Sequence, residues 1–207
     1  MKRAGLARQA VFPAAFAALM AASGAPAEAD TLTEMAAQIQ TLLDQGRGAD
    51  AADAARGFLR SVTDQAGFGV TNARLTAAPA TGFGVFEPRG DNVYDTGEPV
   101  YAYVEVYGFS LTQQASGANQ LMFDVSFTLL SPEGQQLTDA MVPMGEIRLE
   151  SFSQPVDGYF HLTYRISGVE GAFTLHTEVT DRVSGETADF DLPVVFAGRP
   201  AAASEVK

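Results

Sequence analysis

An eight-residue stretch at positions 100–107, Val-Tyr-Ala-Tyr-Val-Glu-Val-Tyr, decides the fold class of this chain. Its aliphatic residues alternate with tyrosine and glutamate, which is typical of a β-strand that turns one face toward a core. Tyr101, Tyr103 and Tyr107 then share the face opposite the valines. Phenol rings spaced in this way can form an open binding surface, or another element can cover them. These three tyrosines are the candidate binding residues.

Further strands follow this stretch. Four later segments alternate in the same way, at 121–129, 159–166, 173–180 and 189–196. Weaker strand patterns occur at 137–144 and 147–152, and a short edge strand is predicted at 83–86. Seven or eight short strands, each with one apolar face and turn residues between them, predict a mainly β chain. The expected architecture is a two-sheet antiparallel sandwich, and the alternative is a barrel.

A helical pattern precedes the strands. Thr31-Leu-Thr-Glu34 is a capping-box sequence, and apolar residues then recur at helical spacing until Gly46. A second amphipathic run begins near Asp50 and ends near residue 64. Two helices alone cannot bury their apolar faces. We therefore expect the hairpin to dock on the strands, with the face of Tyr101, Tyr103 and Tyr107 as the receiving surface.

The N-terminus has the pattern of a secretory signal. Basic residues precede an apolar run at 10–22, and Ala27-Glu28-Ala29 fits the small-x-small cleavage rule. The run has about 13 residues, fewer than the roughly 20 that a membrane-spanning helix needs. The sequence therefore predicts cleavage near Ala29, with the stretch 25–27 as the alternative position. The mature chain is expected to be periplasmic or secreted, with no membrane span after signal removal.

Composition narrows the possible functions. The chain has 207 residues, a formal charge of -12, no cysteine and two histidines. Without thiols there is no disulfide framework, no cysteine-based metal site and no cysteine nucleophile. The acidic excess argues against a nucleic-acid partner, since phosphate binding needs a basic face. We expect a protein partner in the periplasm or envelope and no cofactor, while the oligomeric state stays open.

These patterns divide the chain into five segments. The predicted boundaries are a signal peptide at 1–29, a helical hairpin at 30–66, a linker at 67–82, a β-sandwich at 83–197 and a flexible tail at 198–207.

The strand region resembles a known class of module. The segment 171–190 is similar to the last hairpin of immunoglobulin-like modules of exported bacterial proteins, with a Gly-x-aromatic strand, Val-x-Asp and a Ser-Gly turn. Segments 84–89 and 97–105 resemble their opening strands. The Leu42-Leu-Asp-Gln-Gly46 turn and the Ala-rich second helix resemble a single tetratricopeptide-like hairpin. The resemblance implies a binding or spacer function and no catalytic residues; it does not imply an antibody-type domain, because the disulfide and core tryptophan are absent.

The chain carries no recognisable catalytic motif. There is no nucleophile elbow, phosphate loop or zinc-protease helix signature. The sequence therefore predicts a binding or assembly module that is not an enzyme. Two alternatives stay open, namely a carbohydrate-recognising domain that uses the tyrosine face and a weak divalent-metal-binding protein.

The metal alternative depends on strand register. A two-residue turn at Ser184-Gly185 would place Glu178 opposite Asp191. If the preceding hairpin matches its apolar faces, His161 lies opposite Glu178. A row of His161, Glu178 and Asp191 would then cross three strands. One imidazole and two carboxylates can hold a divalent ion weakly, and without an ion they form a solvated cross-strand contact.

Overall fold

A computed structural model describes residues 27–198 of the chain, with backbone only for the first four of them. Within this range the chain forms two helices followed by nine strands. Helix α1 spans Ala27–Asp44 and α2 spans Gly48–Ala66. The strands are β1 Gly69–Thr76, β2 Val93–Tyr94, β3 Val100–Tyr107, β4 Thr112–Gln113, β5 Asn119–Leu130, β6 Val142–Ser151, β7 Asp157–Tyr164, β8 Gly171–Asp181 and β9 Thr187–Phe196. The prediction of a mainly β chain is confirmed.

Two of the predicted segments lie largely outside this range. The signal peptide predicted at 1–29 lies outside the described residues except for its last three, which begin α1. The tail predicted at 198–207 lies outside them except for Gly198. Neither described helix is both long and apolar enough to cross a membrane.

The strands are arranged in two sheets. In residues 27–198, one sheet has three strands in the order β1-β3-β7. The other has six: five follow the pairing path β2-β9-β8-β5-β4, and the sixth, β6, also pairs with β5. The inward side chains of both sheets meet in one apolar core. It includes Val104 of β3, Phe123 of β5, Phe160 of β7, Leu175 of β8 and Val194 of β9.

The predicted linker at 67–82 contains a strand. Residues 69–76 form β1, which pairs antiparallel with β3. A β-bulge between Val70 and Asn72 shifts the phase, so that Val70, Ala73 and Leu75 all pack against the core. The bulge hides the strand in the sequence, because it breaks the period of two that identifies strands. The sheet region therefore begins at Gly69 rather than at residue 83.

The strand predicted at 83–86 is a loop. After β1 the chain turns at Gly82 and Val85, where the Val85 amide donates to the Gly82 carbonyl at 3.0 Å. It then returns past Pro88, which bridges to Thr76. The two weak strand patterns at 137–144 and 147–152 correspond to the single edge strand β6.

The helices form a hairpin that packs mainly on itself. Leu42 of α1 and Ala51 of α2 are buried between the two helices, while Leu43 is 53% exposed. Helix α1 begins four residues before the predicted capping box, so Thr31 is not its first residue. Helix α2 ends at Ala66, and the next residue, Gly67, has a positive φ of 78° where the chain turns toward β1.

Candidate functional site

The outer face of the three-stranded sheet carries the predicted tyrosines. Val100, Val104 and Val106 of β3 are buried in the core, and Tyr103 faces the other way. Strand register places Arg74 of β1 and His161 of β7 on either side of Tyr103. This face is polar and aromatic, as the alternation at 100–107 predicted.

The loop between β1 and β2 covers the centre of this face. The Gly84 amide donates a hydrogen bond to the Tyr103 hydroxyl at 2.7 Å, and that hydroxyl donates to Glu105 Oε1 at 2.6 Å. The Phe86 ring lies 4.5 Å from the Tyr103 ring, centroid to centroid. Tyr103 is 0% exposed as a result. Burial, reinforced by the bond to Glu105, raises the pKa of Tyr103 to about 12.

Of the two alternatives for this face, open or covered, the covered one holds at its central position. A sugar ring that stacks on tyrosine needs an accessible phenol face. Tyr101 and Tyr107 are half-buried, and Tyr103 has no accessible surface. Sequence reasoning expects the helical hairpin as the cover and misses the loop, because the loop reaches the face through Gly84 and Phe86, which lie in the segment predicted as a strand.

Helix α2 borders the other end of the same face. A space of about 340 Å³ lies between Leu59 and Val62 of α2 and Tyr107 of β3. Arg60 donates from Nη1 to the Pro155 carbonyl at 2.7 Å and ties the helix to the β6–β7 loop. The hairpin thus docks on the strands through the second half of α2, and the expected receiving surface is shared between α2 and the covering loop.

The predicted metal row does not form. His161 lies on β7 in the three-stranded sheet, whereas Glu178 and Asp191 lie in the six-stranded sheet. The chain changes sheet between β7 and β8 instead of making a hairpin. Within residues 27–198 no group of three or more metal-ligating side chains is close enough to hold an ion.

The last hairpin also has a different register. Its turn is a four-residue loop, because the Asp181 amide bonds to the Glu186 carbonyl and the Asp181 carboxylate accepts from the Val183 amide at 2.8 Å. Glu178 consequently faces Asp189, and His176 faces Asp191. His176 Nδ1 lies 2.7 Å from Asp191 Oδ1, so the histidine on this row is His176 and not His161.

An apolar cleft opens beside the tyrosine face, between β6 and β7. It has a volume of about 570 Å³. Buried core residues Leu121 and Phe160 form part of its wall, together with the half-buried Ile147 and Leu149 of β6. Phe83, at the tip of the covering loop, borders the mouth and is 48% exposed. The cleft is within the size range of ligand sites in proteins.

The rim of the cleft is acidic. Glu150 and Asp157 line it, and both are exposed. Glu150 Oε1 accepts one hydrogen bond from Gln120 at 3.2 Å. His161 is the basic side chain among the described residues of the lining, which include no lysine or arginine. Sequence reasoning missed this cleft because its residues come from separate segments, and the alternation of β6 marks Ile147 and Leu149 only as inward-facing.

Both strands that flank the cleft are sheet edges. In the described part of the chain, β7 pairs only with β3, and β6 pairs only with β5. Edge strands present backbone amides and carbonyls that have no partner in the sheet. The cleft thus combines an apolar floor with two sources of backbone hydrogen bonds.

Comparisons with known proteins find only distant likenesses. No family model matches the chain, and no curated protein matches its sequence. Among solved structures, a sporulation control protein from Bacillus subtilis has 13% identity over 63% of this chain and 51% of its own, with a TM-score of 0.31. A family 123 glycoside hydrolase from Clostridium perfringens has 10% identity over 52% of this chain and 23% of its own, with a TM-score of 0.33.

An immunoglobulin-like protein from Pseudomonas aeruginosa is also similar. It has 9% identity over 61% of this chain and 97% of its own, with a TM-score of 0.25. The chain spans about half of the sporulation protein and under a quarter of the hydrolase. At these TM-scores none of the likenesses assigns an activity.

The prediction that the chain is not an enzyme is wrong as stated. It relied on the absence of catalytic motifs and on a resemblance to modules used for binding or spacing, yet the structures similar to the chain include glycoside hydrolases and a DNA glycosylase. Structural likeness therefore does not separate this chain from enzymes, and it gives no positive sign of catalysis either.

Proposed function

We propose that this protein is a binding module whose ligand site is the cleft between β6 and β7. One observation carries the proposal, namely that Ile147 and Leu149 are only half-buried although they point toward the core. When a ligand covers apolar side chains that are exposed in a concave site, binding is favoured by about 25 cal/mol for each Å² of apolar surface removed from water. The loop tip at Phe83 and the edge of β7 would enclose the ligand.

The proposal includes the setting of the module. We propose an immunoglobulin-like sandwich for the two sheets, with the helical hairpin as an assembly element. Export to the periplasm or beyond is supported by the basic start, the apolar run at 10–22 and the Ala27-Glu28-Ala29 sequence. The partner would then be a protein of the periplasm or envelope.

The other two candidate functions have less support. Carbohydrate recognition through Tyr101, Tyr103 and Tyr107 would require the covering loop to leave the central ring. Metal binding by His161, Glu178 and Asp191 would require residues of two different sheets to meet. The cleft needs neither rearrangement.

A neutral apolar dye tests the proposal. The sequence has no tryptophan, so the Phe83→Trp variant has a single indole at the mouth of the cleft. We expect Nile red to quench this indole with a saturable dependence on dye concentration. The matched control is Val183→Trp, because Val183 is similarly exposed at 41% but lies in the β8–β9 turn. Equal quenching of both variants would contradict the proposal.

A pair of leucine variants locates the bound dye. Leu149→Ser removes part of the cleft wall, and Leu59→Ser alters the neighbouring space beside α2, which Phe83 also lines. In the Phe83→Trp background, only Leu149→Ser should weaken binding. A loss confined to Leu59→Ser would place the dye beside α2 and refute the cleft as the site.

A further inference from the structure

The edge of β7 is unusually regular. All eight residues from Asp157 to Tyr164 pair with β3 in unbroken register, from Tyr107 back to Val100. The strand contains no proline and no bulge. In an antiparallel pair, every second residue directs both its amide and its carbonyl away from the neighbouring strand. About half of the β7 backbone therefore points outward, including alternate residues of the segment 157–161 that lines the cleft.

The edge of β6 is less suitable for pairing. It contains Pro143, which has no amide hydrogen, and Gly145, whose φ is +107°. A bulge interrupts its pairing with β5 between Val125 and Ser126. Prolines and bulges are the features that protect an edge strand from further pairing. These features lie at 143–145, outside the β6 residues 147–151 that line the cleft. β7, whose eight residues all pair without a break, is therefore the longer uninterrupted edge for a new strand.

The floor of the cleft lies beside this edge. Leu121 and Phe160 are buried below it, and Leu149 faces them from β6. A strand added to β7 would present alternate side chains to this floor and the intervening ones to solvent. Its ligand side chains must therefore be apolar at every second position.

The acidic residues of the rim indicate the charge of the ligand. Glu150 and Asp157 line the cleft, and the described lining contains no lysine or arginine to neutralise them. The whole chain carries a formal charge of -12. Complementarity favours a ligand with lysine or arginine beside its apolar residues and disfavours a second copy of this acidic chain.

We propose that the cleft binds an extended, basic segment of a partner protein, which adds as a strand to the free edge of β7. Alternate apolar side chains of the segment cover Leu121, Leu149 and Phe160, and its lysine or arginine residues lie near Glu150 and Asp157. This inference rests on the proposed function and specifies the ligand class and the mode of binding.

Backbone methylation of a probe peptide tests the mode of binding. The probe is acetyl-Lys-Val-Thr-Val-Thr-Val-Lys-amide, titrated into the full chain with NMR detection of the β7 amides. One derivative is N-methylated on the central valine and the other on the neighbouring threonine, whose amides point to opposite edges of the strand. We expect one derivative to bind about tenfold more weakly, from the loss of one hydrogen bond and a steric clash, and the other to bind as the parent does.

Charge variants test whether Glu150 and Asp157 attract the lysine residues of the probe. Asp157→Asn combined with Glu150→Gln should weaken the probe several-fold, and so should replacement of its lysines by glutamate. The matched control is Asp189→Asn with Glu178→Gln, the same two changes on an opposed pair of β8 and β9 that lies outside the cleft lining. An equal effect of both double variants would overturn the charge assignment.

The outcomes separate this inference from the proposed function. If Nile red binds the cleft but both methylated peptides bind as the parent does, strand addition is wrong and the cleft remains a ligand site. If the parent peptide does not bind at millimolar concentration, the inference is overturned. If sedimentation shows a dimer that is lost when β7 is altered by Thr163→Pro and kept in Thr187→Pro, the occupant of the edge is a second copy and the proposed partner is wrong. If neither dye nor peptide binds, both proposals fail.

Discussion

The phenol ring of Tyr107 lies across the backbone of Gly69, its directly opposed partner on β1. A Cβ atom at position 69 would overlap the ring. The pair joins the first residue of β1 to the last residue of β3, where the chain arrives from α2. Glycine at position 69 thus leaves room for a side chain of the neighbouring strand, which a Cβ atom would displace, and its own φ is not in the left-handed region.

Substitution of Gly69 tests this contact. We expect Gly69→Ala to lower the free energy of unfolding by about 1–3 kcal/mol, the usual cost of overpacking. Urea denaturation gives the value, and Gly90→Ala is the control because no atom lies within 4 Å of its added Cβ. In a Tyr107→Ala background the cost should largely disappear. A cost that is the same in both backgrounds would show that the ring is not its source.

The junction between α2 and β3 makes a second prediction. A Cβ atom at Gly108 would overlap the Gly67 carbonyl at the end of α2. Gly108 and Gly117 both have positive φ, at 67° and 85°, but the space beside Gly117 is open. Alanine at either site has the left-handed cost of about 1–2 kcal/mol. We expect Gly108→Ala to lose more stability and to speed amide hydrogen exchange throughout α2, which Gly117→Ala should not do.

Hydrogen exchange in the two glycine variants can also contradict the docking of the hairpin on the strands. If exchange in Gly48–Ala66 were the same in both glycine variants, the end of α2 would not depend on its contact with β3.

Asp181 makes a third prediction, because its buried carboxylate holds two loops together. It accepts hydrogen bonds from the Ser110 amide at 2.7 Å, the Val183 amide at 2.8 Å and the Ser184 hydroxyl at 3.0 Å. Asp181→Ala leaves these donors without their acceptor, and we expect a loss of at least about 2 kcal/mol in the free energy of unfolding. The control, Asp189→Ala, removes an exposed carboxylate of the same hairpin and should change stability little. Comparable losses in the two variants would refute the role of Asp181.

The strand patterns show how far the sequence predicts this fold. Val104 and Tyr103 were assigned correctly to opposite faces, because alternation depends only on the pleat of one strand. The partner of a strand is set by chain connections that cross between the sheets, so nothing in the pattern of β7 indicates that His161 faces Tyr103 instead of Glu178. The bulge at Val70 removed the signal of β1 altogether.

The candidate site was less predictable than the fold. Its apolar wall combines Leu121 and Leu149 with Phe83, and these residues come together only when two sheet edges and a loop are placed in space. Alternation marks the two leucines as inward-facing, but it does not show that the core stays open beside Leu149. A buried tyrosine such as Tyr103 has the same sequence pattern as an exposed one.

Tyr103 makes a prediction at alkaline pH. Its pKa is raised to about 12 in the folded protein from an ordinary value of 10.0, mainly by burial. The folded state holds this proton more tightly than the unfolded chain does. The resulting contribution to stability is complete below about pH 10 and is lost as the pH rises through about 12.

Denaturation in urea at several pH values measures this effect. We expect Tyr103→Phe to reduce the loss of stability between about pH 10 and 12, and also to lower stability at neutral pH because the Gly84 amide loses its acceptor. Tyr101→Phe is the control on the same strand. A pH dependence unchanged by Tyr103→Phe would exclude this tyrosine as the titrating group.

The parallel pairing of β2 with β9 has a consequence for how the chain reaches its native state. Val93 pairs with Val195, about 100 residues later in the chain. β3 likewise pairs with β7, and β5 with β8, so these strands also pair with partners that come later in the chain. Contacts between distant residues must overcome loop-closure entropy before they stabilise anything, so a chain dominated by them folds in milliseconds to seconds rather than microseconds. Neither sheet can be completed during synthesis before its last strand has been made.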